Sequence, residues 1–208
     1  MTTQELIADQ TFAVPASDEA LRRAADALAE RGIAAHVVDT VADAHRLVRE
    51  LLPRDKEIFT SLSETLRLSG IAEDIDSSGE FRSVRKRLPE LDGDVRAQIT
   101  MGAAPDVVVG SVHAITEDGV MLVASSSGSQ FSSYAAGAER AIWVVGAQKV
   151  VPDFETALRR LRTYSLPREQ ERMAPTGWQS FIGKILIIER EVFPDRGTVV
   201  LVREPIGF

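Results

Sequence analysis

The chain has 208 residues, 31 acidic side chains against 24 Lys and Arg, a net charge of −7 and no cysteine. That length can bury a core without a covalent staple, and the missing cysteines exclude disulfides, thiolate zinc sites, a protein-held iron–sulfur cluster and a cysteine nucleophile. The acidic balance argues against nucleic acid as a partner. No apolar run approaches the roughly 20 residues of a membrane span. Residues 1–12 lack the basic and apolar regions of a signal peptide, so a cytoplasmic protein is expected. His36, His45 and His113 include no pair at ligand spacing, and no metal site is expected.

Residues 1–16 read as an N-terminal extension and residues 17–208 as one α/β domain. Over residues 17–31, Ala20, Leu21, Ala24, Ala25 and Leu28 form one helical stripe, with Ser17 as cap and Gly32 as terminator. Residues 33–38 read as a strand. Residues 40–52 read as a helix with Thr40 and Asp43 at N-cap and N3 spacing, stopped by Pro53. Residues 57–61 form a buried strand running into a helix near Ser63. Helix–strand alternation of this kind predicts a layered α/β fold with a mostly parallel sheet. Residues 76–80 read as a loop, 81–88 as a helix and 94–101 as another, ended by Gly102. Arg82, Arg85, Lys86 and Arg87 read as a solvated helix face.

Residues 106–116 are strongly strand-like, and a tight turn at Glu117-Asp118-Gly119 leads to a second strand over 120–124, giving an inserted antiparallel hairpin. Residues 141–145 read as a buried strand. Pro152 opens a helix whose apolar face carries Phe154, Ala157, Leu158 and Leu161. Residues 184–189 and 198–203 supply the last strands.

Three segments could carry chemistry. At the strand-to-helix junction, Ser61, Ser63 and Thr65 surround a helix start able to cradle an anion, or Ser63 simply caps the helix. On a strand Ser111, His113, Ile115 and Glu117 share one face, which gathers a hydroxyl, an imidazole and a carboxylate suited to base or nucleophile work. The alternative is a plain polar turn in which Gly119 supplies a positive φ. Ser125, Ser126, Ser127 and Gly128 form a small, hydroxyl-rich loop that could close on a ligand or stay a surface loop. The chain has no GxxxxGK[ST], GxGxxG or GxSxG, which argues against P-loop, dinucleotide-binding and serine-hydrolase sites. Trp178, in a loop with Gly177 and Ser180, could stack on a ligand ring or anchor the core edge.

Residues 110–123 (GSVHAITEDGVMLV) resemble the signature of the lactate-utilisation, or LUD-domain, family, roughly G-A-D-A-A-I-A-E-T-G-T-L-V-L. Gly110, Ala114, Ile115, Glu117 and Gly119 match in place. Residues 142–153 (IWVVGAQKVVPD) are similar to the strand, loop and helix start that follow in that family. His113 and Thr116 stand where the family carries alanines, and residues 177–188 lack the GPSRTADIE-like stretch of its C-type members.

The resemblance implies a fold like that of ribose-5-phosphate isomerase and the CoA transferases, with a small anionic metabolite bound at the carboxyl ends of strands. It implies an accessory or substrate-binding role in lactate (2-hydroxy acid) utilisation. The strand-face reading of the residues makes Glu117 and His113 the expected catalytic pair. Ser61, Ser63, Thr65, Ser111, Asp118, Gly119 and Ser125 to Gly128 would hold the ligand. Iron–sulfur clusters would come from partner subunits, no cofactor is specified for this chain, and a homo-oligomer is left open. One alternative is a CoA-transferase-like enzyme with Glu117 as nucleophile; another is a non-catalytic sensor of anionic metabolites.

Overall fold

The structure, a computed structural model, describes residues 7–208. Residues 1–6, which carry part of the expected extension and leader assignment, lie outside the described residues. In chain order come α1 (Asp18–Glu30), β1 (Ile33–Val38), α2 (Val41–Leu51), β2 (Glu57–Thr60), α3 (Glu64–Leu68), α4 (Ile71–Ser77), β3 (Arg82–Ser83), α5 (Val95–Ala103) and β4 (Val107–Gly110). Then follow β5 (Ala114–Thr116), β6 (Met121–Ser125), β7 (Arg140–Gly146), β8 (Val150–Val151), α6 (Phe154–Arg160), α7 (Leu166–Met173), β9 (Lys184–Ile188) and β10 (Gly197–Val202).

Six strands form a parallel sheet in the order β1-β10-β7-β4-β2-β3. Alternation along each strand divides its side chains between two cores. Val107, Val109, Ile142, Val144, Val200 and Val202 face α2, α3 and α4. Val108, Ala141, Trp143, Val145, Val199 and Leu201 face α1 and a second sheet. That sheet, ordered β8-β5-β6-β9, is mixed: β5 and β9 pair antiparallel with β6, and β8 pairs parallel with β5. Its far side packs on α6 and on Phe12 and Ala8, so the described part of the N-terminal extension is fastened to the domain.

Local chemistry accounts for the helix boundaries. Ser17 accepts from Ala20 N at 3.2 Å, and Thr40 and Asp43 form a reciprocal capping box. Asp94 accepts from Ala97 N at 2.9 Å and caps α5.

Three expectations need correction. The strand over residues 106–116 is broken: β4 ends at Gly110, the chain changes sheets through residues 111–113, and β5 pairs with other partners. The antiparallel hairpin expected over these residues is present as β5–β6, and it seeds the second sheet. Residues 81–88 form a short edge strand and a 3-10 turn over Arg85–Leu91, because Val84 N bonds to Ile58 O at 2.8 Å and continues the β2 ladder. At the next helix Asp153 is the cap, accepting from Thr156 N at 2.7 Å, so Pro152 lies before it and Phe154 points outward.

Two π-helical turns, Leu161–Ser165 joining α6 to α7 and Ser133–Gly137 before β7, re-aim side chains toward the sheet switch. The second is held by Arg196, which donates to Ala138 O, Ser133 O and Tyr134 O and pairs with the buried Glu191. Tyr134 is thereby pressed onto Gly110, where an added Cβ would lie 1.7 Å from the phenol oxygen. Gly110→Ala is expected to lower stability by about 1–3 kcal/mol. Urea denaturation of Gly110→Ala, Tyr134→Phe and the double variant checks this. The double variant should lose less than the sum, whereas additive losses would mean the two positions do not press on each other.

Candidate functional site

A cleft of about 680 Å³ opens at the carboxyl ends of β2, β4 and β7, the edge at which open parallel α/β sheets bind ligands. Its floor is a hydrogen-bonded cluster. Tyr134 accepts from Ser111 N at 3.0 Å, donates to Ser111 O at 3.1 Å and bonds with Ser61 Oγ at 2.8 Å. Burial pushes the Tyr134 phenol up to about 12, so it is a neutral donor at physiological pH.

Beside this cluster lies Lys149, only 2% exposed. Its Nζ donates to Thr65 Oγ1 at 2.8 Å and Ser111 Oγ at 3.1 Å. Both hydroxyls pass their own protons to backbone oxygens, Thr65 to Ile206 O and Ser111 to Val112 O. Among the described residues no carboxylate pairs with Lys149. Burial, together with the neighbouring positive charge of Arg160, holds its pKa well below the ordinary lysine value.

Arg160, fully buried behind the cleft wall, donates to Gln148 O at 3.1 Å, to Ser165 Oγ at 3.0 Å and to His113 O. Its Nη2 has no partner, and no carboxylate pairs with it among the described residues. Burial lowers its pKa to about 10, which leaves it charged at neutral pH. Arg85 stacks over Phe59 and donates to Thr60 O at 2.7 Å; burial lowers its pKa, while nearby Asp76 supports its charge.

His113 lines the same cleft. Desolvation first, then the charges of Lys149 and Arg160, bring its pKa down to about 3, so the ring is neutral. Nδ1 accepts from Ala124 N at 3.2 Å, which places the ring proton on Nε2. That N–H has no protein acceptor among the described residues and is available to a ligand.

The structure brings together most, though not all, of the residues picked out by sequence. Ser61, Ser63, Thr65, Ser111, His113, Ser125, Ser126 and Ser127 all line the cleft. Glu117, Asp118, Gly119 and Gly128 do not. Because the chain changes sheets after Gly110, Glu117 does not share a face with Ser111 and His113. It pairs with Arg23 of α1 at 2.7 Å, and Asp118 O accepts from Arg31 at 2.6 Å. Gly119 lies so close to α1 that a Cβ would meet Leu28 N at 2.9 Å, so this turn docks the second sheet onto the helix. Gly128 sits at φ +79° in the serine loop, where its N–H bonds to Ser125 Oγ at 2.9 Å. Ser63 caps α3, accepting from Leu66 N at 3.5 Å.

Lys149, Arg160, Tyr134 and Arg85 escaped the sequence reading. Lys149 carried a signal, as the one charged residue in an otherwise buried stretch, VVGAQKVV. Arg85, expected on a solvated face, is instead part of the cleft wall. Among the described residues no cluster of His, Asp and Glu could hold a metal ion, and no helix is long and apolar enough to cross a membrane.

Fold and cleft together define an α/β protein that gathers polar and cationic groups at the carboxyl ends of a parallel sheet. The LUD domain matches residues 21–202, and the chain belongs to the LUD-domain family. Among solved structures it is similar to a DUF162 family protein from Deinococcus radiodurans, at 13% identity and a TM-score of 0.57, over 90% of this chain and 99% of that one. No curated protein matches the chain.

The neutral His113 ring makes acid stability a test of this geometry. The unfolded chain takes up a proton near 6.5, whereas the folded chain resists until about 3. Stability is therefore complete above 6.5 and falls as pH drops from there toward 3. His113→Gln should flatten that acid limb by up to one proton in urea titrations run across this range. An unchanged limb would place the imidazole in solvent.

Proposed function

We propose that this chain is a substrate-binding or accessory component of organic-acid utilisation of the lactate type, whose cleft holds a small organic anion. One observation carries the proposal: Lys149 and Arg160 are buried in and behind one wall with no carboxylate against either among the described residues. Burying cationic groups is costly unless an opposite charge compensates them, and a ligand carboxylate supplies that charge. The His113 Nε2–H, an uncharged donor with no protein acceptor among the described residues, suits a ligand oxygen. Membership of the LUD-domain family supports the metabolic setting. Redox chemistry on a hydroxy acid would belong to partner subunits with iron–sulfur clusters, because these 208 residues contain no cysteine to hold one.

A CoA-transferase-like role is supported less well. Its nucleophile would be Glu117, which is tied to Arg23 at 2.7 Å outside the cleft lining.

Thermal-shift measurements with lactate, glycolate, pyruvate, phosphosugars and CoA esters test the proposal. A ligand at about 100 times its Kd adds about 2.7 kcal/mol, which raises Tm by roughly 5–10 °C for a domain of this size. Hydroxy or oxo acids should give that shift, and Lys149→Met should remove it while the variant keeps its circular dichroism spectrum. A shift with CoA esters alone would favour the transferase alternative, and a flat panel would count against an anion site in the isolated chain.

A further inference from the structure

Lys149 has more to offer than charge. Its Nζ finds two acceptors, Thr65 Oγ1 and Ser111 Oγ, and both hydroxyls have committed their protons elsewhere. A neutral amine has two N–H donors and one lone pair, so this arrangement satisfies both donors and leaves the lone pair without a donor. An ammonium would carry a third N–H with no acceptor among the described residues. Lys149 also lines the cleft, as do His113 and Ser61.

From this geometry we propose that Lys149 is a nucleophile which condenses with the carbonyl of a small 2-oxo acid to form an imine in the cleft. The idea rests on the anion-binding reading above and narrows its ligand to a carbonyl compound. The surroundings fit each stage. The Nζ lone pair adds to the carbonyl carbon as the C=O π bond breaks, and the oxygen takes one proton from the nitrogen. The C–O bond of the carbinolamine then breaks, and the hydroxyl departs with the second nitrogen proton as water. One amine and one ketone give one imine and one water, with no change of oxidation state.

The His113 Nε2–H is the donor available to the carbonyl oxygen. Neutral imidazole suits this task, since it can polarise a carbonyl without competing for its proton. Arg160 is a positioning residue: it holds His113 O and Gln148 O from behind, and its charge favours the free amine at Lys149. A desolvated lysine beside a second cation is an established way of making an amine nucleophilic.

Borohydride trapping tests the proposal. The intact protein is incubated with pyruvate, reduced, digested and mapped by mass spectrometry, with lactate as the control that has no carbonyl. The chain has four lysines, of which Lys56, Lys86 and Lys184 are exposed and serve as internal references. One reduced pyruvate should appear on Lys149, in excess of any reference lysine, because a desolvated amine is unprotonated to a greater extent than an exposed one. It should be absent from Lys149→Arg. The wild-type map keeps the test decisive if that variant folds poorly. Stabilisation by pyruvate with no adduct on Lys149 would overturn the imine and leave the anion site standing. Adducts spread over the exposed lysines, with no stabilisation by any acid, would overturn both.

Discussion

The phenol of Tyr134 is the contact on which the cleft depends. It bonds to both backbone groups of Ser111 and to the Ser61 hydroxyl, so it ties together the ends of β2 and β4 at the point where the chain leaves one sheet for the other. Backbone groups at such a switch lose their ladder partners, and buried polar groups without partners are expensive. Here a side chain replaces the missing strand. The cost is steric: Gly110 has no room for a Cβ, and the π turn carrying Tyr134 needs Arg196 beneath it. The geometry that ends β4 thus also builds the floor on which a ligand would rest.

Electrostatics follow from the same arrangement. Once Ser111 is anchored, its hydroxyl and that of Thr65 are the acceptors left for Lys149. Arg160 enters from the far side of the second sheet, where the π turn after α6 brings Ser165 into contact with it. The result is positive charge embedded in a protein of net charge −7. Its counter-charges lie elsewhere: Glu117 faces Arg23 on α1, and Asp118 faces Arg31 at the C-cap of that helix. The acidic turn fastens the second sheet to the first layer, while the hydroxyl-rich ends of the strands are left to meet a ligand.

Much of this was legible from the residues. Capping chemistry and hydrophobic periodicity located α1, β1, α2, β2, β7 and β10 closely, because those elements obey local rules. The hydroxyl clusters around Ser63 and Ser125 also led to the cleft. Illegible were the features set by tertiary geometry. A run of eleven strand-like residues over 106–116 gives no sign that it will break and change sheets, and that break separates Glu117 from His113. Arg160 looks like an exposed helix residue until the second sheet and the π turn enclose it. Tyr134 sits in a weakly patterned segment whose turn is imposed by Arg196 rather than by its own sequence.

The most direct measurement is the protonation state of Lys149 in solution. Two-dimensional proton–carbon NMR of the lysine ε-methylenes resolves four groups, and Lys149→Arg assigns the one of interest. The Lys149 signal is expected to titrate well below the ordinary lysine value of 10.5 and to move back toward it when lactate is added, because a carboxylate favours the ammonium. Titration at the ordinary value, unchanged by lactate, would contradict a buried, uncompensated amine awaiting an anion.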